Sequence, residues 1–156
     1  MNVANREGVR RFIERYASSL ADAGMPRMPA RVFVALLATD SGRLTAAELA
    51  ELLQVSPAAI SGAVRYLAQV NLVRREGEPG SRRDHWRVHD DAWYEALVRR
   101  DQLLARWGES VREGIEAVGP DTPAGRRLAE TLAFFEFVHE EMPPLLSRWR
   151  ERKAKL

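Results

Sequence analysis

Cysteine is absent from the 156 residues of this chain. Disulfide bonds, thiolate metal sites and cysteine-based redox sensors are therefore excluded. The sequence also lacks an apolar run long enough to span a bilayer. Its first residues, MNVANREGVRRFIERY, lack the apolar core of a signal peptide. We therefore expect a cytoplasmic protein.

Catalytic and metal-binding patterns are missing too. We find no Ser/His/Asp arrangement, no paired carboxylates and no Gly-rich phosphate loop, so we expect neither an enzyme nor a cofactor. The histidines His85, His89 and His139 have acidic neighbours, but their spacing matches no tetrahedral metal signature. A helix cap at His89 and an exposed polar face at His139 explain them better, and we expect no metal site.

The composition is that of an ordinary globular protein, with 46% hydrophobic and 29% charged residues. A chain of this length can form one domain that buries roughly 70% of its unfolded surface. The formal net charge of only +2 does not by itself indicate a nucleic-acid partner.

Residues 45–88 contain two helix-start signals separated by a short turn. Thr45 and Glu48 form the pattern of a capping box, in which each side chain satisfies a backbone N–H of the other residue. Ser56 followed by Pro57 is typical of a helix cap and first helical position. The sequence therefore predicts a helix-turn-helix whose turn lies at residues 54–55.

The second of these helices has one apolar face and one polar face. The apolar face has helical spacing and consists of Ile60, Ala63, Val64 and Leu67. The other face has small residues near its start, with Arg65 and Gln69 further along. Small residues let a helix approach base edges, where Arg65 could contact guanine or phosphate. For Gly62, we favour close approach to DNA over the alternative of close helix packing.

Two short β-like runs, residues 72–76 and 85–88, flank a loop with a Pro79-Gly80 turn signal. Between residues 65 and 87 there are six arginines and three carboxylates, a local balance of +3. Such a basic hairpin suits a DNA backbone or minor-groove contact. A solvated loop with Arg–Asp pairs is the alternative, and Asp84 could orient Arg82 or Arg83. Arg43 and Leu44 could add a minor third strand.

Amphipathic helices are predicted on both sides of this region. One covers about the first 24 residues, and a long one runs from residue 90 to about residue 118. A last helix starts at Thr122-Pro123, and Pro143-Pro144 is expected to kink or break it. Apolar helices at both ends of the chain suggest packing against a second copy, hence a homodimer.

Aromatic residues are concentrated in these outer helices. They could line a pocket for a small-molecule effector or form the core of the dimer, and we favour the dimer core because aromatics dominate such interfaces. The candidate set is Phe12, Tyr16, Trp93, Trp107, Phe134, Phe135 and Trp149.

The order of these elements resembles that of MarR-family winged helix-turn-helix regulators. The segment from Ser56 to Leu67 resembles their recognition helix, and residues 80–84 resemble the wing of the glycine-betaine-synthesis repressor branch. The resemblance implies a mainly α fold with a small β-wing and N- and C-terminal dimerisation helices. It also implies a dimeric transcription factor, usually a repressor, that responds to a ligand.

We therefore predict one MarR-like domain over residues 1–156. Its DNA-reading lobe would be residues 27–89, and residues 1–24 and 90–156 would supply the dimerisation helices. The predicted partner is a palindromic double-stranded DNA operator. A winged-helix module that binds protein instead of DNA is the alternative. The candidate DNA-contacting residues are Thr45, Ser56, Pro57, Ala58, Ala59, Ser61, Gly62, Arg65, Gln69, Arg82 and Arg83.

Overall fold

The computed structural model of the chain describes residues 3–156, and side chains from residue 6 onward. Residues 1 and 2 of the predicted N-terminal dimerisation segment lie outside the described part. The elements, in chain order, are α1 (Val3–Asp22), α2 (Arg27–Leu37), β1 (Arg43–Thr45), α3 (Ala46–Leu53), α4 (Pro57–Gln69), β2 (Val73–Gly77), β3 (Asp84–Val88), α5 (Ala92–Val118) and α6 (Pro123–Lys153). The mainly helical fold with a small β-wing is confirmed. The chain forms two compact units that meet between Glu95 and Ala96.

The core of the first unit surrounds α2. Five successive residues of this helix, Val32 to Leu36, are fully buried, because α2 packs against α1 on one side and against α3 and α4 on others. Ile13 of α1, Leu49 of α3 and Ile60 of α4 are also fully or almost fully buried. The helix-turn-helix is therefore built directly onto α2.

Both predicted helix caps of the helix-turn-helix are confirmed. The Thr45 hydroxyl accepts a hydrogen bond from the Glu48 backbone N–H, and the Glu48 carboxylate accepts one from the Thr45 N–H at 2.7 Å. The Ser56 hydroxyl accepts from the Ala59 N–H, and Pro57 is the first helical residue. These bonds satisfy backbone donors that a helix start would otherwise leave unpaired.

A three-stranded antiparallel sheet forms the wing, in the order β1-β3-β2. The minor strand expected at Arg43 and Leu44 is present, and it pairs with β3 in the register Leu44 opposite Trp86. We call β2 and β3 the wing stem and residues 78–83 between them the wing tip. Each stem strand lies within one residue of its predicted bounds.

The second unit is a helical hairpin of α5 and α6. Its turn is tight, because a Cβ added to Gly125 would lie 2.1 Å from the Gly119 carbonyl oxygen. Any side chain at residue 125 would therefore force the backbone of the turn to move. Thr122 caps α6 through a hydrogen bond from the Gly125 N–H, as its sequence position before Pro123 predicted.

Of the kink or break expected at Pro143-Pro144, the break does not occur, since α6 continues through both prolines to Lys153. Each proline removes one backbone donor. The residues whose carbonyls lose that donor, His139 and Glu140, are exposed, so water can take its place. Met142 and Leu146, on either side of the prolines, are buried.

No helix among residues 3–156 combines the length and the apolar character needed to cross a membrane.

Candidate DNA-reading surface

The face of α4 that points away from the core is open to solvent. Ile60, Ala63, Val64 and Leu67 are buried, as their spacing predicted. Ser61, Gly62, Arg65 and Gln69 are exposed, and we call these four residues the reading face. At the start of the helix, Ser56, Pro57 and Ala58 are exposed and Ala59 is half-buried. An exposed helix face with small residues at its start can enter a DNA major groove.

The surroundings of Gly62 decide between its two explanations. A Cβ added at this position would meet no heavy atom within 4 Å. Close packing of another helix therefore gives no reason for a glycine here. The open space is consistent with the alternative, a close approach of an external partner to the backbone of α4.

A groove of about 460 Å³ lies along the reading face. Ser61, Arg65 and Gln69 line it, and the residues that complete it are Val64, Ala68 and Trp86. Trp86 comes from β3, so the wing stem forms one wall of the groove. Trp86 was not among the predicted site residues, although an aromatic residue in the strand after a recognition helix was a usable signal.

Ion pairs hold the wing stem together. Arg75 on β2 donates to the Asp84 carboxylate on β3, with its Nε 2.7 Å from Oδ2. Glu76 accepts from Arg87 Nε at 3.0 Å and pairs with Arg43 of β1 at 3.3 Å. Asp84 therefore does not orient Arg82 or Arg83, as we had considered. Its position opposite Gly77 in the strand register places it beside Arg75 instead.

These ion pairs change the pKa of the Glu76 carboxylate. The hydrogen bond from Arg87 has the largest effect and lowers the pKa of Glu76. Desolvation opposes it, and the hydrogen bond from Arg43 and the charges of both arginines lower the pKa further. A carboxylate between two guanidinium groups stays ionised and neutralises part of their charge. The stem arginines are thus engaged within the protein.

The wing tip differs from the stem. Pro79 and Gly80 form the turn, and Gly80 has a φ of 81°, a left-handed conformation that glycine adopts without strain. Arg82 and Arg83 are exposed. Within the part of the chain that the structure describes, no carboxylate lies within 4 Å of the guanidinium of Arg65, Arg82 or Arg83.

Thr45 and Glu48 lie at the start of α3, near the positive charge of the wing. The hydrogen bond from the Thr45 backbone lowers the pKa of Glu48, and the charges of His85 and Arg83 lower it further. The Thr45 hydroxyl is occupied as the acceptor of the cap. Arg83 thus acts on Glu48 through space without forming an ion pair.

Two of the three histidines have hydrogen-bond partners, whereas His85 Nδ1 is buried without one among the described residues. His89 Nδ1 accepts from the Asp91 backbone N–H just before α5, and His139 Nδ1 lies 2.9 Å from Asp101 Oδ1 across the α5–α6 hairpin. Among residues 3–156, no group of three or more metal-ligating side chains is close enough to hold an ion.

The aromatic candidates are mostly exposed. The exposed fraction is 48% for Phe12, 48% for Trp93, 46% for Trp107, 60% for Phe134 and 39% for Trp149, and Tyr16 and Phe135 are half-buried. Phe137, which we had not included, is 58% exposed. Trp107, Phe134 and Phe135 form a cluster in the second unit. The ring centroid of Phe135 lies 6.1 Å from that of Trp107 and 6.4 Å from that of Phe134.

An open recognition helix beside a basic hairpin defines a winged helix-turn-helix protein of the DNA-binding class. Comparisons with known proteins agree. A model of the MarR family matches residues 23–84, and a model of MmpR5-like MarR family transcriptional regulators matches residues 91–152. Both models describe MarR family transcriptional regulators, which are DNA-binding proteins and not enzymes, and together they match most of the chain. Our family assignment is confirmed, and the glycine-betaine-synthesis branch stays a prediction.

The chain is similar over most of its length to individual family members and solved structures. It is 26% identical to the HTH-type transcriptional regulator MmpR5 of Mycobacterium tuberculosis, over 92% of this chain and 88% of that protein. It matches the crystal structure of a transcriptional regulator with a TM-score of 0.80 and 25% identity, covering 92% of this chain and 99% of that one. A weaker match, with a TM-score of 0.45 and 20% identity over 98% and 84% of the two chains, is Sco3205, a MarR family regulator from Streptomyces coelicolor in complex with DNA.

Proposed function

We propose that this protein is a homodimeric, ligand-responsive transcriptional repressor that binds a palindromic DNA operator. In this proposal residues 27–89 form the reading lobe of one MarR-like domain that acts in the cytoplasm, and residues 1–24 and 90–156 supply the dimerisation helices. The observation that carries the proposal is the distribution of arginines. Arg65 on the reading face and Arg82 and Arg83 at the wing tip are exposed, and none forms an ion pair within residues 3–156.

Base recognition is assigned to the reading face. Arg65 can donate two hydrogen bonds to a guanine edge, and Gln69 can pair with adenine. Ser61 and Gly62 leave room for the helix to approach the bases. The remaining candidates at the helix starts, Thr45 and the residues from Ser56 to Ala59, would contact the backbone or the first bases, because helix N-termini present N–H groups to phosphate.

Backbone contact is assigned to the wing tip. Arg82 and Arg83 lie beyond a turn that projects from the sheet, and an arginine with no carboxylate partner loses no ion pair when it binds phosphate. Such contacts would increase affinity for every DNA sequence. The combination of a base-reading helix with a backbone-gripping hairpin is what a sequence-specific regulator requires.

Dimerisation is supported by the exposed aromatics of the second unit. Large apolar side chains clustered on a monomer surface usually mark an interaction site. Phe134 and Phe137 are each more than half exposed, and Trp107 nearly so. A homodimer would present two recognition helices to the half-sites of a palindrome, which lie about 34–36 Å apart. Light scattering of the purified protein tests this, and a monomer at micromolar concentration would contradict it.

An effector response is supported by a cavity of about 380 Å³ on the α5–α6 hairpin. Its apolar wall includes Leu104, Leu132 and Phe135, and Arg112 and His139 lie among the polar residues at its edge. A small molecule with an apolar body and a polar group fits this lining. Operator affinity measured with and without a panel of metabolites tests this part of the proposal. A ligand acts only through its different affinities for the two states.

Selection of duplexes from a random library with the full-length protein tests DNA recognition directly. We expect enrichment of an inverted repeat, and fluorescence anisotropy should show that it binds at least about a thousandfold more tightly than an unrelated duplex at physiological salt. Failure to enrich any sequence would favour the alternative, a winged-helix module that binds protein. Placing the selected duplex within a promoter and measuring transcription in vitro distinguishes a repressor from an activator.

A further inference from the structure

Arg31 is a charged residue within the most buried helix of the first unit. It lies between Ala30 and Val32, which are both fully buried, and only 15% of its side chain is exposed. Its guanidinium reaches two other helices. Nε and Nη2 donate to Glu14 Oε1 of α1 at 3.0 and 2.6 Å, and Nη2 also donates to the Leu53 carbonyl oxygen at 3.0 Å.

The Leu53 carbonyl needs such a partner because of where α3 ends. In a continuing helix it would accept from the N–H four residues later. That residue is Pro57, which has no N–H. Leu53 is only 5% exposed, so water has little access to this residue. A buried carbonyl without a partner costs free energy, and a cation at a helix C-terminus is also favoured by the helix dipole.

The turn of the helix-turn-helix begins immediately after this carbonyl. Gln54 has a left-handed conformation with a φ of 54°, which is uncommon for a residue with a side chain. The Gln54 and Val55 backbone N–H groups both return to the Ala50 carbonyl. Ser56 then caps α4. Ser56 lies three residues after Leu53, whose carbonyl accepts from Arg31. The hydrogen bond from Arg31 is therefore next to the short turn that sets the direction of α4.

We propose that Arg31 is a positioning residue for DNA recognition. Its guanidinium caps the C-terminus of α3 and holds the turn that aims α4, while Glu14 of α1 fixes the orientation of the guanidinium. This proposal rests on the proposed function, since it concerns the aim of the reading face. It assigns to α1 a role in the helix-turn-helix: the Glu14 carboxylate and the Leu53 carbonyl share one nitrogen of Arg31.

Hydrogen exchange of the free protein tests the structural half of the proposal without any DNA. Arg31→Gln should accelerate amide exchange at Gln54 and Val55 by about tenfold or more, the effect of losing a hydrogen bond from a charged donor. Amides of α5 and α6 should be unaffected. Arg27→Gln is the matched control, because Arg27 is on the same helix but exposed. Unchanged exchange at the turn in Arg31→Gln, or the same acceleration in Arg27→Gln, overturns the proposal.

DNA binding tests the functional half. A duplex selected by the wild-type protein and an unrelated duplex of equal length are the probes. Arg31→Gln should bind the selected duplex about tenfold more weakly, the loss expected from one hydrogen bond to a charged group. It should bind the unrelated duplex as the wild type does, since no phosphate-gripping residue has changed. An equal loss on both duplexes, or no loss on either, overturns the positioning role.

Two milder variants keep the test decisive if Arg31→Gln does not fold. Arg31→Lys keeps the charge but has no planar fork to serve both acceptors, and Glu14→Gln keeps an oxygen acceptor but removes the negative charge. We expect Arg31→Lys to accelerate amide exchange at the turn, and to weaken binding of the selected duplex, more than Glu14→Gln does. The reverse order overturns the proposal. If the wild type itself selects no duplex, the proposed function fails, while the exchange result still decides whether Arg31 holds the turn.

Discussion

The wing stem and the DNA-reading surface of this protein use arginine in opposite ways. In the stem, Arg75 and Arg87 are tied to Asp84 and Glu76 of the neighbouring strands. On the reading face and at the wing tip, Arg65 and Arg82 have no carboxylate partner within the described residues. The local net charge of +3 therefore does not show which arginines of this region can bind DNA. The pairing pattern decides which of the positive charges are available to DNA.

This difference also separates two kinds of stabilisation. The stem pairs are partly exposed, and such ion pairs contribute at most about 1 kcal/mol each to folding. They also add side-chain contacts between β2 and β3, whose backbones are already paired in register. The unpaired arginines add little to folding and are free to exchange water and counterions for phosphate or a base edge.

The largest expected effect comes from Arg65→Ala. We expect it to weaken binding of the selected duplex by about 1–3 kcal/mol and to relax the preference at one base position, because a bidentate contact is lost. Arg75→Ala is the control, since its guanidinium is engaged by Asp84. Anisotropy titrations with single-base variants of the duplex provide the measurement. Equal weakening on every sequence would assign Arg65 to the phosphate backbone instead.

Arg82→Ala and Arg83→Ala should have the next largest effect. A plot of log affinity against log salt has a negative slope. Each substitution should make that slope less steep by about 0.9, because one fewer counterion is released. The affinity should fall by a similar factor for selected and unrelated duplexes. A loss confined to one base position would mean that the wing tip reads sequence.

Asp84→Asn should remove the ion pair of Arg75 in the wing stem and so make this arginine available to DNA. Releasing Arg75 could add one phosphate contact, so we expect the salt slope to steepen by up to about 0.9. Glu78→Gln at the wing tip is the matched control, because it removes the same charge from an exposed residue with no ion pair among those described. The same slope in both variants would show that only net charge matters.

The smallest effect concerns Glu48, which attracts Arg83 through space. Its pKa is lowered on folding, so its contribution to stability is complete above the unfolded carboxyl pKa of about 4.3. That contribution disappears as the pH falls through the lower folded-state pKa. We expect Glu48→Gln to reduce the unfolding free energy by about 0.3–1 kcal/mol at pH 7, and not in strong acid.

Urea denaturation at a series of pH values measures this difference. Glu51→Gln is the control, because it removes a charge from the same helix without disturbing the capping box. A difference between Glu48→Gln and the wild type that does not change with pH would show that the charge of Glu48 does not stabilise the cap.

Local signals in the sequence were sufficient to predict the elements of the fold. Thr45 with Glu48 and Ser56 with Pro57 identify both helix starts, since a cap involves only neighbouring residues. The apolar spacing of α4 correctly separated its buried and exposed faces. The break considered at Pro143-Pro144 does not occur, and the carbonyls that the prolines leave without a donor belong to exposed residues.

Contacts between distant residues could not be predicted in the same way. Arg31 reaches Glu14 and the Leu53 carbonyl, which lie 17 and 22 residues away. In the sequence, the sign that Arg31 has such partners was a charged residue within a run of apolar residues. Asp84 is the first residue of β3 and directly follows Arg82 and Arg83, so we considered it as a partner for them, but the strand register places it beside Arg75. Such pairings depend on the tertiary fold.

The strand order β1-β3-β2 has a consequence for how the first unit folds. β1 lies before the helix-turn-helix in the chain, and its partner β3 lies after it. Closing this pair requires a long loop that contains both α3 and α4, and contacts of this kind form slowly. During synthesis, α3 and α4 are complete before β3 leaves the ribosome. We therefore expect β1 to pair with β3 later than β2 does, because only six residues separate β2 from β3.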